Sequence, residues 1–189
     1  MAINPYERCP ELEGGRFSMR LVRAEDAEDL LAVYSDKKAV PYFNSDNCHG
    51  ATFYCEKLEY VQEMISSWLA EYRGRGFVRW TATDKESKKA VGTVELFNRR
   101  ADDYFTDCGI LRLDVRSDYE REPLLFEIMQ LIVPPSFGLF GCRMVATKIP
   151  PFAEERRRAA ERLGFSLSQE KLIGHDKTPY TNYFVLNGQ

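Results

Sequence analysis

The sequence has no surplus of positive charge. Lysine and arginine together number 26 against 29 aspartates and glutamates, which gives a net charge of −3. Proteins that hold nucleic-acid backbones or anionic membranes do so mainly through clustered basic residues. We therefore expect no nucleic-acid partner and no membrane partner.

The sequence also has no long uninterrupted hydrophobic run. The most apolar stretch, residues 124–140, contains Glu127, Gln130 and two prolines, whereas a membrane-spanning helix needs about 20 predominantly apolar residues. The first residues show no basic segment followed by an apolar core, which is the pattern of a secretory signal. The cytoplasm is therefore the expected location.

Metal-ligating residues are scarce. The five cysteines include no Cys-x-x-Cys spacing, and there are only two histidines. Cys48, His49 and Cys55 would leave a tetrahedral zinc site one ligand short, and His175 stands alone in a Gly-His-Asp turn. The sequence therefore predicts reduced thiols, no metal site and no nucleophilic triad.

The chain does have the composition of a folded domain. Of its 189 residues, 44% are hydrophobic and 13% are aromatic, which is enough for one hydrophobic core. Residues 1–16 carry prolines and glycines among polar residues and are interpreted as an N-terminal arm. Residues 17–189 contain no linker and no internal repeat, and form the single predicted domain.

The hydrophobic spacing predicts an α+β fold. The predicted strands alternate polar and apolar residues, and the predicted helices have apolar residues three and four positions apart. Strands that follow one another directly come first and a strand-helix-strand crossover comes later, so we expect a mixed, mostly antiparallel sheet flanked by helices. In chain order the predicted strands one to six are 17–23, 77–83, 91–97, 108–115, 143–149 and 181–186, and the predicted helices are 27–34, 58–72, 123–133 and 152–163.

Four short motifs give this order of elements a family resemblance. With them, residues 17–187 resemble the GNAT N-acetyltransferase superfamily, most closely the branch of ribosomal-protein N-terminal acetyltransferases. The resemblance implies direct transfer of an acetyl group from acetyl-CoA to a primary amine of a small molecule or peptide. The motifs are Met19-Arg20-Leu21-Val22-Arg23, Val91-Gly92-Thr93-Val94-Glu95-Leu96, Cys108-Gly109-Ile110 and Glu161-Arg162-Leu163-Gly164-Phe165.

The resemblance also implies a place for acetyl-CoA. In the family, strand four splays from strand five and acetyl-CoA lies in the gap, with its pyrophosphate on the loop and helix N-terminus that follow strand four. Free backbone N–H groups and the helix dipole make such a place attractive to an anion. Carried onto this sequence, the acetyl-CoA contacts are expected at Leu113, Val115, Arg116, Arg121, Leu124 and Leu125.

The segment expected to bind the pyrophosphate departs from the family pattern, so its motif is degenerate. The family has Arg/Gln-x-x-Gly-x-Gly/Ala, whereas this sequence has Glu120 at the basic position and Pro123 and Leu125 at the two small positions. Pro123 has no N–H to donate. Glu120 and Glu122 also add negative charge where an anion is expected.

A second departure lies at the start of the last helix. Ala153 and Arg156 stand where the family commonly has an asparagine that contacts the cosubstrate and a nearby serine. Together the departures favour a second hypothesis beside the transferase. In that hypothesis the chain is a catalytically silent GNAT-fold domain that binds a ligand or partner through the same cleft.

Two carboxylates on the sheet are candidate catalytic groups. Glu95 lies on strand three and Asp114 on strand four, where either could reach a cleft, and Glu95 is the preferred general base. Both could instead be solvated or held in ion pairs, for example Asp114 with Arg112 or Arg116.

Aromatic residues are the remaining candidates. Tyr183, with Tyr180 close by, lies near the place where the family often carries a general-acid tyrosine, although packing with a hydrogen-bonded hydroxyl is the alternative. Aromatic pairs at 42–43, 53–54 and 104–105 lie in irregular segments where the family holds its acceptor. They could equally form lids or a dimer contact, so a homodimer is an open expectation.

Overall fold

The computed structural model describes residues 4–188 and has the α+β architecture that the sequence predicts. Its helices are α1 (Ala27–Tyr34), α2 (Leu58–Arg73), α3 (Glu122–Phe140) and α4 (Glu154–Arg162). Its strands are β1 (Leu12–Glu13), β2 (Phe17–Leu21), β3 (Val78–Asp84), β4 (Lys89–Arg99), β5 (Cys108–Val115), β6 (Met144–Lys148), β7 (Ser166–Leu167), β8 (Leu172–Ile173), β9 (Pro179–Tyr180) and β10 (Tyr183–Asn187).

One mixed sheet organises the domain. Its strands lie in the order β1-β2-β3-β4-β5-β6-β10-β7, while β8 and β9 form a separate hairpin. Strands β5 and β6, which the α3 crossover joins, are parallel, and the other neighbours are antiparallel. The six predicted strands correspond to β2, β3, β4, β5, β6 and β10, so the mixed, mostly antiparallel sheet is confirmed. The other four strands have two residues each, too few for an alternating pattern to reveal them.

The two faces of the sheet carry different side chains. On one face, α3 and α4 pack together over a large apolar core that includes Trp80 and Leu96. On the other face, α1 and α2 cover a smaller apolar core that includes Val33 and Ile65. A third apolar cluster surrounds Phe105. Polar side chains occupy the sheet between the second and third clusters, and they form the candidate site described below.

The third helix is longer than the sequence predicts. The predicted helix ends at residue 133, before the prolines at 134–135, and this end is wrong because α3 continues to Phe140. A proline inside a helix leaves the carbonyl four residues earlier without its N–H partner, and here those carbonyls belong to Gln130 and Leu131. Gln130 is exposed and Leu131 half-buried, so water can reach these carbonyls, while buried Val133 anchors the helix. By length and composition α3 could cross a membrane; here it is a core helix.

Residues 4–16 lie against the domain. Strand β1 pairs with β2, and the indole N–H of Trp80 donates a hydrogen bond to the Pro10 carbonyl at 2.9 Å. Tyr6 and Cys9 pack against the main core. Residues 1–3 lie outside the described part of the chain, and the division into an arm and a domain at residue 17 stays a prediction.

Asp84, at the end of β3, ties the N-terminal segment to the turn before α3. Its carboxylate accepts hydrogen bonds from Arg16 Nη2 at 2.8 Å and from the Tyr119 hydroxyl at 2.7 Å. Burial alone would raise the pKa of Asp84, but the hydrogen bonds from Arg16 and Tyr119 outweigh it and lower the pKa to about 2.

The lowered pKa of Asp84 predicts how stability changes in acid. Because the folded state favours the ionised carboxylate, its contribution is complete above the ordinary aspartate pKa and is lost as the pH falls towards 2. We expect Asp84→Asn to lower the free energy of unfolding by about 2 kcal/mol at pH 7 and by much less near pH 2. Urea unfolding at both pH values measures this. The control is Glu86→Gln, a mostly exposed carboxylate beside Arg16; equal losses in both variants would contradict the prediction.

Candidate active site

The sheet forks between β5 and β6. Their parallel pairing ends at Leu111 and Thr147, whereas β5 continues to Val115 and β6 to Lys148. Beyond the last pair β5 keeps its other neighbour, β4. We call this separation of the two strands the fork. It lies where the resemblance implied a splay between predicted strands four and five.

The two predicted carboxylates lie together on the face covered by α1 and α2. Glu95 and Asp114 are 1% and 3% exposed. Arg79 of β3 forms an ion pair with each of them, and Glu95 also pairs with Arg112 at 3.1 Å. Both are therefore ion-paired, as the alternative interpretation held, although Asp114 pairs with Arg79 and not with Arg112 or Arg116.

Arg79 is the shared partner of these two carboxylates and also packs against an aromatic ring. Its guanidinium lies 4.3 Å from the centre of the Trp68 ring. Burial lowers the pKa of Arg79, but the charge of Glu95 and of Asp114 outweighs burial, so the net pKa rises above its ordinary value. Neither carboxylate lines the open cleft described below. In this arrangement Glu95 and Asp114 organise the sheet and are poorly placed to take a proton from a substrate.

A second polar cluster is centred on Asp46. The Tyr183 hydroxyl donates a hydrogen bond to Asp46 Oδ2 at 3.0 Å and accepts one from Asn44 Nδ2 at 3.3 Å. Lys148 Nζ forms an ion pair with the other carboxylate oxygen of Asp46. Burial raises the pKa of Tyr183, and the charge of Asp46 raises it further. Tyr183 is therefore protonated at neutral pH and points its proton at Asp46.

Asp46 lies at the fork itself. Arg112 and Lys148 are the first residues beyond the last paired positions of β5 and β6. The Asp46 carbonyl accepts a hydrogen bond from Arg112 Nη2 at 2.9 Å, and its carboxylate binds Lys148. Tyr183 pairs with Lys148 across β10 and β6. One residue of the irregular segment between α1 and α2 therefore connects both branches of the fork.

An open cleft leads to Asp46. The cleft has a volume of about 370 Å³. Its walls come from the segment between α1 and α2 and from the β8–β9 hairpin, so two segments distant in sequence build it. Tyr180 lines it, and its hydroxyl accepts a hydrogen bond from the Asn47 N–H at 3.1 Å. The lining residues are Ser45, Asp46, Asn47, His49, Gly50, His175, Asp176 and Tyr180.

The turn at residues 116–125, where the pyrophosphate is expected, uses its backbone N–H groups internally. The N–H of Ser117 donates to Asp36 Oδ2, and the N–H of Glu122 donates to Glu155 Oε2 at 2.8 Å. The N–H groups of Leu124 and Leu125 both donate to the Arg121 carbonyl. The N–H groups of Arg116, Tyr119, Glu120 and Arg121 also donate to backbone carbonyls.

Arg156 fills the space beside the unpaired end of β5. Its guanidinium is buried and donates to the Leu113 carbonyl at 2.9 Å and to the Tyr42 carbonyl at 3.1 Å. It also forms a buried ion pair with Glu120. Burial raises the pKa of Glu120, although the charge and hydrogen bonds of Arg156 oppose the rise. Two departures from the family pattern, Glu120 and Arg156, are therefore partners of each other.

In this arrangement the turn does not fit a diphosphate. The N–H groups named above have acceptors, and a carboxylate already lies at the start of α3. Of the expected cation contacts, Arg116 is paired with Asp118 at 2.6 Å and Arg121 is exposed on the same turn. Val115 is buried in the main core. The acetyl-CoA contacts expected from the resemblance stay predictions.

Sequence patterns do not single out Asp46, Asn44 or Lys148. Asn44 and Asp46 lie in the irregular segment between α1 and α2, where no helical or strand period marks a functional position. The aromatic residues of that segment are the one sequence signal that points to it, because the resemblance implies an acceptor region there. The pairing of Asp46 with Tyr183 depends on a separation of 137 positions in sequence, and only the folded sheet brings them together.

The forked mixed sheet, with helices on both faces, defines an acyltransferase domain of the GNAT type. The chain belongs to the acetyltransferase (GNAT) domain family, whose model matches residues 16–166. It is similar to the uncharacterised N-acetyltransferase YoaA of Bacillus subtilis, with 22% identity over 94% of this chain and 96% of that protein.

Solved structures have the same fold. One is the ribosomal-protein-S5-alanine acetyltransferase of Vibrio fischeri, at a TM-score of 0.67 and 14% identity, covering 93% of this chain and 94% of that one. Another is RimJ of Mycobacterium smegmatis in complex with CoA-disulfide, at a TM-score of 0.69 and 14% identity, covering 93% and 84%. Identities this low establish the fold and leave the acceptor open.

Proposed function

We propose that the protein is an N-acetyltransferase that moves an acetyl group from acetyl-CoA to the primary amine of a small molecule or a peptide N-terminus. Membership of the family supports acetyl transfer, and the RimJ structure with CoA-disulfide is a fold relative that holds a CoA derivative. The observation that carries the proposal is the Asp46–Tyr183 pair at the fork, whose Asp46 lines an open cleft.

Acetyl transfer needs a proton acceptor beside the amine and a proton donor beside the departing sulfur. The amine nitrogen attacks the thioester carbonyl carbon, so a C–N bond forms and the C–S bond breaks. Before the attack, an acceptor that arrives as an ammonium ion loses one proton through Asp46 to water, and after the attack Asp46 takes the proton that leaves the nitrogen. Tyr183 gives its proton to the thiolate and regains one from Asp46, so that one net proton moves from nitrogen to sulfur.

The charges around the cleft favour an acceptor that arrives as an ammonium ion. Asp46 already binds the ammonium group of Lys148. A protonated acceptor amine is a group of the same kind. Asp176 adds a second carboxylate to the cleft wall. Asp46 is already neutralised by Lys148, so Asp176 is the carboxylate that attracts a cationic acceptor to the cleft.

An assay with acetyl-CoA and defined amines tests the proposal. The acceptors are a small diamine and peptides with free alanine or serine N-termini, and the control is a peptide of the same sequence with a blocked N-terminus. We expect thiol release that depends on a free amine, with the acetylated product identified by mass spectrometry. No thiol release with any acceptor, together with no heat on titration with CoA, would overturn the proposal and leave the silent-domain hypothesis.

A further inference from the structure

The amine that Asp46 binds in this structure belongs to the chain itself. Lys148 Nζ donates a hydrogen bond to Asp46 Oδ1, and the Tyr183 hydroxyl donates one to Oδ2 of the same carboxylate at 3.0 Å. An amine, a proton acceptor and a proton donor are the groups that acetyl transfer needs beside a thioester. These three groups are therefore together at the fork before any separate acceptor enters.

We propose that Lys148 is itself an acetyl acceptor, so that the protein acetylates its own chain at the fork when no other amine is present. The inference rests on the proposed function, because it uses the same Asp46, the same Tyr183 and the same acetyl thioester. The substrate is a lysine ε-amine that the fold holds in place, and the product is Nε-acetyllysine at position 148.

The reaction at Lys148 balances in the same way as transfer to a free amine. Lys148 first loses one proton through Asp46 to water. Its neutral nitrogen then attacks the thioester carbonyl carbon, so a C–N bond forms and the C–S bond breaks. Asp46 takes the second proton from the nitrogen, while Tyr183 protonates the departing thiolate and regains a proton from Asp46. One thiol is released for each amide formed.

The first argument is that the carboxylate under Lys148 is buried. The side chain of Asp46 is 7% exposed and that of Lys148 is 25% exposed. In the ion pairs of Lys37, Lys85 and Lys89 the carboxylate is 27% exposed or more. Exposed ion pairs hold their side chains weakly. The buried Asp46 gives the nitrogen of Lys148 a more fixed position than those lysines have.

The second argument is that neighbouring strands fix the direction of the Lys148 side chain. Tyr183 and Lys148 are direct partners across β10 and β6. Lys148 Nζ also lies 5.4 Å from the centre of the Tyr180 ring. Lys148 is the first residue beyond the last paired position of β6, so it belongs to one branch of the fork. An amine that is already oriented reacts at a much lower entropic cost than a free one.

Incubation with a thioester in the absence of any other amine tests the proposal. Acetyl-CoA and S-acetylpantetheine are the two donors, because the reaction requires a thioester carbonyl and no contact to a diphosphate. Lys89 is the matched control. It pairs with Asp29 at 2.9 Å, its side chain is 64% exposed, and it lies beyond the part of β4 that pairs with β5.

We expect peptide mass spectrometry to show acetylation of Lys148 at least about tenfold faster than acetylation of Lys89 with either thioester. The rate constant at Lys148 is expected to be independent of protein concentration, since the amine and the site belong to one chain. A rate constant that rises with protein concentration would contradict reaction within the chain.

Two comparisons separate the site from ordinary lysine chemistry. Acetyl phosphate contains no thioester and is expected to acetylate the more exposed Lys89 faster than Lys148. Asp46→Asn is expected to slow acetylation of Lys148 by about tenfold or more and to leave Lys89 unchanged, while Asp29→Asn leaves Lys148 unchanged. If thermal unfolding shows that Asp46→Asn does not fold, the comparison of thioesters with acetyl phosphate on the wild type decides alone.

The outcomes distinguish this inference from the proposed function. If added amines are acetylated while Lys148 reacts no faster than Lys89, or if acetyl phosphate shows the same preference for Lys148, self-acetylation is wrong and the proposed function stands. If Lys148 is acetylated and added amines are not, self-acetylation is supported and the proposed free acceptors are wrong. If neither is acetylated by a thioester, both proposals fail.

Discussion

Asp46→Asn is expected to lower kcat/KM for acetyl transfer at pH 7 by about 100-fold or more, the usual contribution of a general base. The substitution keeps the shape of the side chain and an oxygen that can accept the Tyr183 hydroxyl. It removes the proton acceptor and the counter-charge of Lys148. Steady-state kinetics with acetyl-CoA and the best acceptor measure the loss.

The pH dependence of this loss separates a catalytic role from a structural one. A free α-amino group has a pKa of about 8, so above that pH most of the acceptor has already lost its first proton and needs Asp46 only for the proton lost on attack. We therefore expect the defect of Asp46→Asn to shrink between pH 7 and pH 9. A variant that had merely lost its fold would show the same defect at both pH values.

Asp176→Asn is the matched control for this prediction. Asp176 lines the same cleft but is exposed, and it accepts a hydrogen bond from the Thr178 N–H within its own turn. Its replacement makes the same change of charge without touching Tyr183, so we expect a loss of kcat/KM of less than about threefold. Equal losses in the two variants, or a defect of Asp46→Asn that is unchanged at pH 9, would remove Asp46 from the proton path.

Local patterns in the sequence predicted most of the sheet and all four helices, because each element carries its own period. Local backbone requirements also explain two of the glycines in the motifs. A side chain at Gly92 would clash with the Asp114 carbonyl on β5, and Gly164 ends α4 with a φ of +95°, a conformation that favours glycine. Motifs of this kind specify the fold.

The candidate site was predictable only in part. Glu95, Asp114 and Tyr183 do face one side of the sheet, as alternation along a strand implies. The sequence could not show that Arg79 from a third strand pairs with the first two, or that Asp46 from an irregular segment meets Tyr183. Contacts between residues far apart in the chain produce no periodic pattern in the sequence.

The Glu120–Arg156 pair makes the same point about motifs. Each residue by itself was a departure from a family pattern, and each departure counted against acetyl-CoA binding. In the structure they neutralise each other at the fork, so they form one feature. Substitutions at two distant positions can therefore form one buried ion pair, which a motif considered one position at a time does not reveal.

Arg79→Met is expected to be the most destabilising single substitution on the sheet, lowering the free energy of unfolding by about 3–5 kcal/mol. Methionine can keep the contact with Trp68, but it leaves Glu95 and Asp114 as buried carboxylates without Arg79. Urea unfolding at pH 7 measures the loss.

Two comparisons show whether uncompensated charge is the cause. Arg116→Met breaks the exposed Arg116–Asp118 pair and should cost less than about 1 kcal/mol. Adding Glu95→Gln and Asp114→Asn to Arg79→Met should restore much of the lost stability, because neutral amides are far cheaper to bury than charges. If the triple variant were no more stable than Arg79→Met alone, the lost hydrogen bonds of the guanidinium to Tyr34 and Thr93 would explain the effect of Arg79, and Glu95 would be free to be tested again as a base.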